Sequence, residues 1–375
     1  MKLTRLLSAS RYAACRALFA EPLTTLRKLA AFKRDTPPVE LKMKDGTVVR
    51  LEKPSRSNWL WDHALAPGAD AVFEDGLLRF RSGATSFELP IIDDTAAAAR
   101  WVGRHLPDAE QLRWRNGLLV VQARGQELAF RADSATDWVV LDEVLLNDEY
   151  RIAELPDDLG VVIDCGANIG VFSALVSRKA RRVILIEPMP QNVEVARRNL
   201  EQAGAQSRAE VLQAALGAES NGTLTLWVTE KGPGCNSINR SQAAAFGEPV
   251  ELKVPTISIA DLFERHGIEQ CDLFKCDIEG GEYPAFESAP VEVLRRIRRL
   301  RMEYHLFNDA EWLARFERLK DKLGESGFRI KLTDPLLPDG KPSGGGYLSA
   351  TRVEGEDPEV PALQYGSALQ AVLSA

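Results

Sequence analysis

Three stretches of this sequence concentrate residues able to do chemistry. The first is Asp164-Cys165-Gly166-Ala167-Asn168-Ile169-Gly170, an acid leading a loop with two glycines. The second is Glu187, 23 residues after Asp164. The third places Asp277, Glu279 and Glu282 within six residues, and Glu303-Tyr304-His305 follows later. Clustered carboxylates can raise one another's pKa and furnish a base or a substrate orienter. They can equally hold Mg²⁺ or Ca²⁺ through oxygen, or cap a helix and bind a backbone amide. A neutral imidazole at His305 has a pKa suited to a general base. A hydrogen-bonded structural histidine fits as well.

The loop spacing narrows the ligand. Gly166 and Gly170 form G-x-x-x-G, and the positions two and five after Gly166 hold Asn168 and Val171. A dinucleotide loop needs glycine at both, so a nicotinamide-dependent oxidoreductase is a weak rival. The glycines would let backbone approach a ligand, and the helix that follows would offer N–H groups to a carboxylate. A short loop headed by an acid suits a compact ligand with its own amine and carboxylate, such as S-adenosylmethionine. An acid at the position of Glu187 can accept hydrogen bonds from ribose hydroxyls.

The elements that must carry these residues follow from hydrophobic pattern. Residues 161–164 (VVID), 182–187 (RVILIE), 211–216, 273–277 and 299–304 read as short apolar strands alternating with helices. That alternation predicts a parallel sheet with helices on both faces. Residues 190–200 predict a helix with Pro190 in its first turn, Val193, Ala196 and Leu200 on one face, and Gly204 beyond its end. Residues 223–228 and 250–259 predict strands in an insertion, and 328–332 with 347–353 a closing antiparallel pair. Residues 40–135 read as β-rich, with hairpin turns at Asp45-Gly46, Asp75-Gly76 and Asn116-Gly117. FEDGLLRFRSG from Phe73 resembles WRNGLLVVQAR from Trp114, which predicts a duplicated hairpin. A helix over 94–106 should lie between the two copies, capped by Asp94 or Thr95.

Composition bounds the class. The 375 residues are 45% hydrophobic and 27% charged, an ordinary globular balance. The net charge of −7 argues against a dedicated nucleic-acid binder. Five scattered cysteines without a CxxC pair argue against zinc or a disulfide framework and suit a reducing, cytoplasmic setting. Residues 1–34 alone carry +7, leaving −14 for the rest. Three readings fit this basic segment: a helix packed on its own domain, peripheral membrane contact through residues 1–34, or a transit peptide. No run of 18 uncharged apolar residues predicts a membrane span.

VIDCGANIGVFS, IEPMPQNVEVARRNL, AALG, FKCDIEGGE and MEYH occur in that order and resemble the FkbM family of S-adenosylmethionine-dependent methyltransferases over about residues 137–353. The resemblance includes the lead-in DWVVLDEVLLNDEY. It implies an α/β, Rossmann-like class I methyltransferase fold, with a seven-stranded mostly parallel sheet and an N-terminal β-rich segment. The expected domains are 1–34, 40–135, 136–353 and a tail, 354–375. The resemblance places Asp164, Gly166, Asn168, Gly170, Glu187, Asn192 and Asp277 at the cofactor, and Ala214 and Ala215 beside the adenine. Asp277, Glu279 and His305 are the candidate catalytic residues. Asn236 and Ser237 are candidate contacts from a glycine-rich loop, and no metal is expected. The cofactor is S-adenosyl-L-methionine, and the acceptor is a small molecule or glycan. O-methylation of a sugar, glycan or polyketide-like product is the expected reaction. A non-catalytic binding or scaffolding protein of a glycan-assembly system is the alternative.

Overall fold

The computed structural model describes residues 9–31, 37–52, 61, 63–66, 70–106, 108–229, 236–244 and 247–352. Residues 1–8 of the basic segment, residues 231–235 with Cys235, and the tail from residue 354 lie outside the described residues. The chain divides into two compact units between Ala135 and Thr136.

In the first unit, helices Ala9–Leu18 and Pro22–Ala31 bury Cys15, Leu18, Phe19, Leu26 and Leu29. Arg16, Arg27 and Lys28 stay exposed. Phe19 bridges to Met43, beside the hairpin of β1 (Val39–Lys42) and β2 (Val48–Leu51). The apolar side of this part of the basic segment therefore packs within its own unit.

The same unit holds a six-stranded sheet. Its strands lie in chain order: β3 (Val72–Glu74), β4 (Leu77–Ser82), β5 (Thr85–Leu89), β6 (Gln111–Arg115), β7 (Leu118–Ala123) and β8 (Gln126–Phe130). All neighbours are antiparallel except β5 and β6, which are parallel. The duplicated sequence is thus two three-stranded meanders, joined through helix Asp93–His105. Both opening turns have the paired left-handed φ angles of tight hairpins, 55° and 76° at Asp75-Gly76 and 50° and 83° at Asn116-Gly117. Ile92 is the N-cap residue, and Thr95 closes the helix start from within the first turn. Its hydroxyl accepts the Ile92 N–H at 3.4 Å and donates to the carbonyl of Pro90. Alternation puts Leu78, Phe80, Phe87 and Leu89 on the buried face, with Phe80 and Phe87 stacked at 4.8 Å.

The second unit opens with helix Ala135–Val140, which runs into a π-helical turn, Leu141–Leu146. Its main sheet has the order β11-β10-β9-β15-β16-β18-β17. These are β9 (Leu159–Cys165), β10 (Ala180–Ile186), β11 (Ala209–Leu212), β15 (Leu273–Cys276), β16 (Arg299–His305), β17 (Arg329–Leu332) and β18 (Gly345–Thr351). Only β18 runs against its neighbours within this sheet. The chain starts at the centre, winds outward to β11, then returns past β9 to β15. That reversal opens a crevice at the strands' C-terminal ends between β9 and β15, where open α/β sheets bind ligands. The order, with its reversed penultimate strand, is that of a Rossmann-like class I methyltransferase.

One expected strand divides. Residues 211–216 break after Leu212, where the Ala214 N–H turns back to the Leu212 carbonyl. The next piece, β12 (Ala215–Leu216), joins a side sheet with β13 (Thr223–Val228) and β14 (Val250–Ile257). Helices cover the main sheet as their patterns predict. Ala310–Glu325 buries Phe316, Leu319 and Leu323, and Asp309 caps its start by accepting from the Glu311 N–H at 2.7 Å. Among the described residues, no helix is long and apolar enough to cross a membrane.

At the sheet edge away from the crevice, Asp272 joins three strands. Its carboxylate accepts the Gly160 N–H at 2.6 Å and pairs with Arg298 at 2.6 Å. Asp272→Ala is expected to cost about 2–3 kcal/mol in denaturant unfolding. Ligand affinity at the opposite edge should stay unchanged, as calorimetric titration of the folded variant would check.

Candidate active site

The loop after β9 is gripped on its N–H side by β10. The amides of Gly166 and Ala167 both donate to the Ile186 carbonyl, at 3.0 and 3.2 Å. Glu187, buried at the end of β10, continues this. Its Oε2 accepts the Asn168 N–H at 2.9 Å, and its Oε1 accepts from the Met189 N–H and the Asn192 side chain. Burial raises the Glu187 carboxyl against these hydrogen bonds. Asn199 reaches across from helix Pro190–Gln202 to the Ile169 carbonyl at 2.7 Å. Asn192 and Asn199 thus organise the loop from behind, where the sequence placed Asn192 at the ligand.

The two glycines face protein. A Cβ on Gly166, whose φ is +71°, would lie 1.7 Å from the Asp277 carbonyl oxygen. One on Gly170, φ +73°, would lie 2.9 Å from Ala196 Cβ. They allow loop, strand and helix to close on one another. Ala215 also moves. It points into a small apolar cluster with Leu226 and Val254, while Ala214 stays partly open.

Asp164 is fully buried. Its Oδ2 accepts from the Ser173 hydroxyl at 2.7 Å, and its Oδ1 lies 3.4 Å from Lys275 Nζ. It therefore acts through Lys275 and Ser173. Lys275 also faces Asp277 at 3.7 Å, and Tyr150 donates to Asp277 Oδ2 at 3.0 Å. Burial by itself would lower the Lys275 ammonium, but Asp164 and Asp277 outweigh it and raise it.

The ends of β15 and β16 carry a second cluster. Glu279 has φ +51°, and its carbonyl accepts the Ser237 hydroxyl at 2.7 Å. Ser237 is buried in that contact, so it clamps the loop and is closed to ligands. His305 Nδ1 lies 3.2 Å from Glu282, and its Nε2 lies 3.5 Å from Glu279 and 3.8 Å from Glu303. Burial would lower the imidazole, but Glu279 and Glu282 hold it well above its usual value. The carboxylates on three sides of the ring therefore favour its protonated form. Burial pushes the Glu279 carboxyl up to about 7 against the pull of His305. Asp277, Glu303 and His305 bring one ligand atom each within 4.8 Å of one another.

Several residues of this edge were not singled out from sequence: Lys275, Tyr150, Glu143, Glu149 and Tyr347. The π-helical turn and the left-handed residues Asp148 and Arg151 bracket the wall bearing Glu143, Glu149 and Tyr150. Tyr347 donates to Glu149. Burial, then Glu303 and Glu149, push Glu143 well above the usual range, and burial pushes Glu149 up to about 7. One signal for Lys275 was present, a lysine inside an otherwise apolar strand.

Residues 164–330 match the model of the methyltransferase FkbM domain, from the first loop acid to the last parallel strand. That segment of the chain is similar to the FkbM methyltransferases. Methyltransferase sdnD of Sordaria araneosa is 28% identical over 191 residues, 44% of this chain and 73% of that protein. Methyltransferase 1 of Beauveria bassiana is 28% identical over 156 residues, 37% of this chain and 62% of that protein. A solved O-methyltransferase from Bacillus cereus, in complex with SAH, aligns at 12% identity and a TM-score of 0.31, over 58% of this chain and 97% of that one. The fold assignment rests on strand order.

S-adenosylmethionine is the cofactor of this FkbM domain, and the loop fits it. The buried amide oxygen of Asn168 has no hydrogen-bond donor among the described residues, which suits the ammonium of an amino-acid tail. Glu187→Ala removes three hydrogen bonds, one of them to the loop at Asn168, and should weaken S-adenosylhomocysteine about a hundredfold by calorimetry. Raised carboxyls stabilise most when protonated. The contribution of Glu149 is full below 4.5 and is lost as pH rises through about 7. The melting temperature should therefore fall between about pH 5 and 8, and less steeply in Glu149→Gln.

Proposed function

We propose that this FkbM domain methylates a hydroxyl oxygen of a sugar, a glycan or a polyketide-like natural product. The observation that carries this reading is Glu279, a partly exposed carboxylate at the crevice, 3.5 Å from His305 Nε2. Bound S-adenosylmethionine supplies a methyl group on a positively charged sulfur. Methyl transfer to a hydroxyl then requires alignment of the oxygen and removal of its proton. Glu279 takes that proton as the oxygen–carbon bond forms. His305 steadies the carboxylate on one side, and the Ser237 clamp fixes the backbone behind it. Asp277, fixed by Tyr150, orients the acceptor hydroxyl from the adjoining strand end.

The acid-rich edge made by Glu143, Glu149, Glu279 and Glu303 suits a polyhydroxylated acceptor, because carboxyls that are partly protonated near neutral pH both donate and accept hydrogen bonds. Phe307 stacks at 5.8 Å on His305 and packs edge-on to Trp312, which gives the same edge an aromatic side. Buried free Cys15, Cys165, Cys271 and Cys276 fit a reducing, cytoplasmic compartment.

The test is methyl-donor turnover against panels of glycans and polyketide alcohols. Turnover should rise with pH through about 7 and then level, as Glu279 loses its proton. Glu279→Gln should lose on the order of a hundredfold or more in kcat. Its S-adenosylhomocysteine affinity should stay within about threefold of wild type. A variant with unchanged turnover and pH profile would remove Glu279 as the base.

A further inference from the structure

Lys275 has a place in this site that its strand position alone does not explain. It stands opposite Asp164 in the parallel pairing of β15 with β9, inside the sheet, with its side chain 5% exposed. A lysine is seldom buried so deeply without several partners. Here the ammonium reaches the C-terminal edge and donates to the Gly166 carbonyl at 2.8 Å and to the Cys165 carbonyl at 3.4 Å. Asp164 and Asp277 flank it at 3.4 and 3.7 Å. It also lies 5.1 Å from the centre of the Tyr150 ring.

These contacts divide the cofactor loop into two held sides. β10 takes the N–H groups of Gly166, Ala167 and Asn168 through Ile186 and Glu187. Lys275 takes the carbonyls on the other side of the same loop. The Cys165 carbonyl also accepts the Asp277 N–H at 3.1 Å, so loop and acceptor-side acid share one atom. Tyr150 closes the circuit from outside the 164–330 match, through its hydrogen bond to Asp277.

We propose that Lys275 is the positioning residue of the methyl-transfer site, a buried cation that fixes the cofactor loop against Asp277 so that donor and acceptor stay in register. This rests on the methyl-donor reading of the loop. Lys275 touches neither reacting atom. It sets the carbonyl direction at Gly166, and with it the presentation of Asn168, whose amide oxygen is buried without a partner. A neutral side chain of similar length fills the space and holds neither carbonyl.

The experiment compares Lys275→Met with Asp272→Ala by calorimetric titration with S-adenosylhomocysteine and by thermal unfolding. Both variants break an ion pair at a strand end, so both should melt lower. Lys275→Met should weaken binding about tenfold or more, whereas Asp272→Ala lies at the far edge of the sheet and should stay within about threefold of wild type. Equal losses in the two variants, or wild-type binding by Lys275→Met, would overturn the proposal and reduce Lys275 to a structural part of the sheet. Should Lys275→Met not fold, the ammonium resonance of Lys275 in ¹⁵N-lysine-labelled wild-type protein decides. It should shift on adding S-adenosylhomocysteine, and a resonance that stays in place overturns the proposal. Wild-type protein that fails to bind S-adenosylhomocysteine overturns the methyl-donor reading itself, and the role of Lys275 with it.

Discussion

A single buried ammonium, that of Lys275, stands where the first and fourth parallel strands deliver their C-terminal ends. An ammonium in so dry a place is tolerated because two carboxylates and two carbonyls surround it. The surroundings are fixed in turn by the ammonium. Asp164 orients toward it, the glycine loop turns its carbonyls inward, and Asp277 stays beside the loop. Gly166 must lack a Cβ for the same reason, since the Asp277 carbonyl occupies that space. The sheet order places these groups side by side, because the winding reverses between β9 and β15.

Around that centre the site is built from acids held against their usual behaviour. Burial pushes Glu143, Glu149, Glu187 and Glu279 upward, and His305 stands between Glu279 and Glu282, which push its imidazole upward in turn. Backbone strain collects here too. Asp148, Arg151, Asn168, Glu279, Phe307 and Asn308 all adopt left-handed φ angles, and all lie in the lead-in segment or in loops at the strand ends. Such conformations cost roughly 1–3 kcal/mol each and persist where surrounding contacts fix them. Phe307 and Asn308 are fixed by the carbonyls of Gly344 and Ser343, and Glu279 by Ser237 and Ile238.

Much of this was legible in the order of residues. Apolar runs of four to seven residues, each ended by an acid or glycine, announced the strands of the second unit. The asparagine–glycine and aspartate–glycine pairs announced the hairpins of the first. Glu187 and the loop acid were found from spacing, since a ligand at strand ends needs polar groups there. The misreadings share a cause. Whether a small or polar residue faces a ligand or its own protein depends on what lies opposite, and sequence spacing is silent about that. Gly166, Gly170, Asn192, Ala215 and Ser237 were placed at the ligand, and each has protein packed against it. For His305 the spacing left a base and a structural role open, because Glu279 and Glu282 reach it only from another strand end.

The sequence by itself determined the alternation of strands and helices, the duplicated meander and the likeness to FkbM methyltransferases, since each is written in local pattern or in motifs a few residues long. Only the tertiary structure decided the chemical state of the site. Tyr150 meets Asp277 across 127 positions, Lys275 meets the Gly166 carbonyl across 109, and Tyr347 meets Glu149 across 198. The protonation and orientation of a buried group follow from the charges and hydrogen bonds that surround it, and those partners are neighbours only after the sheet has formed.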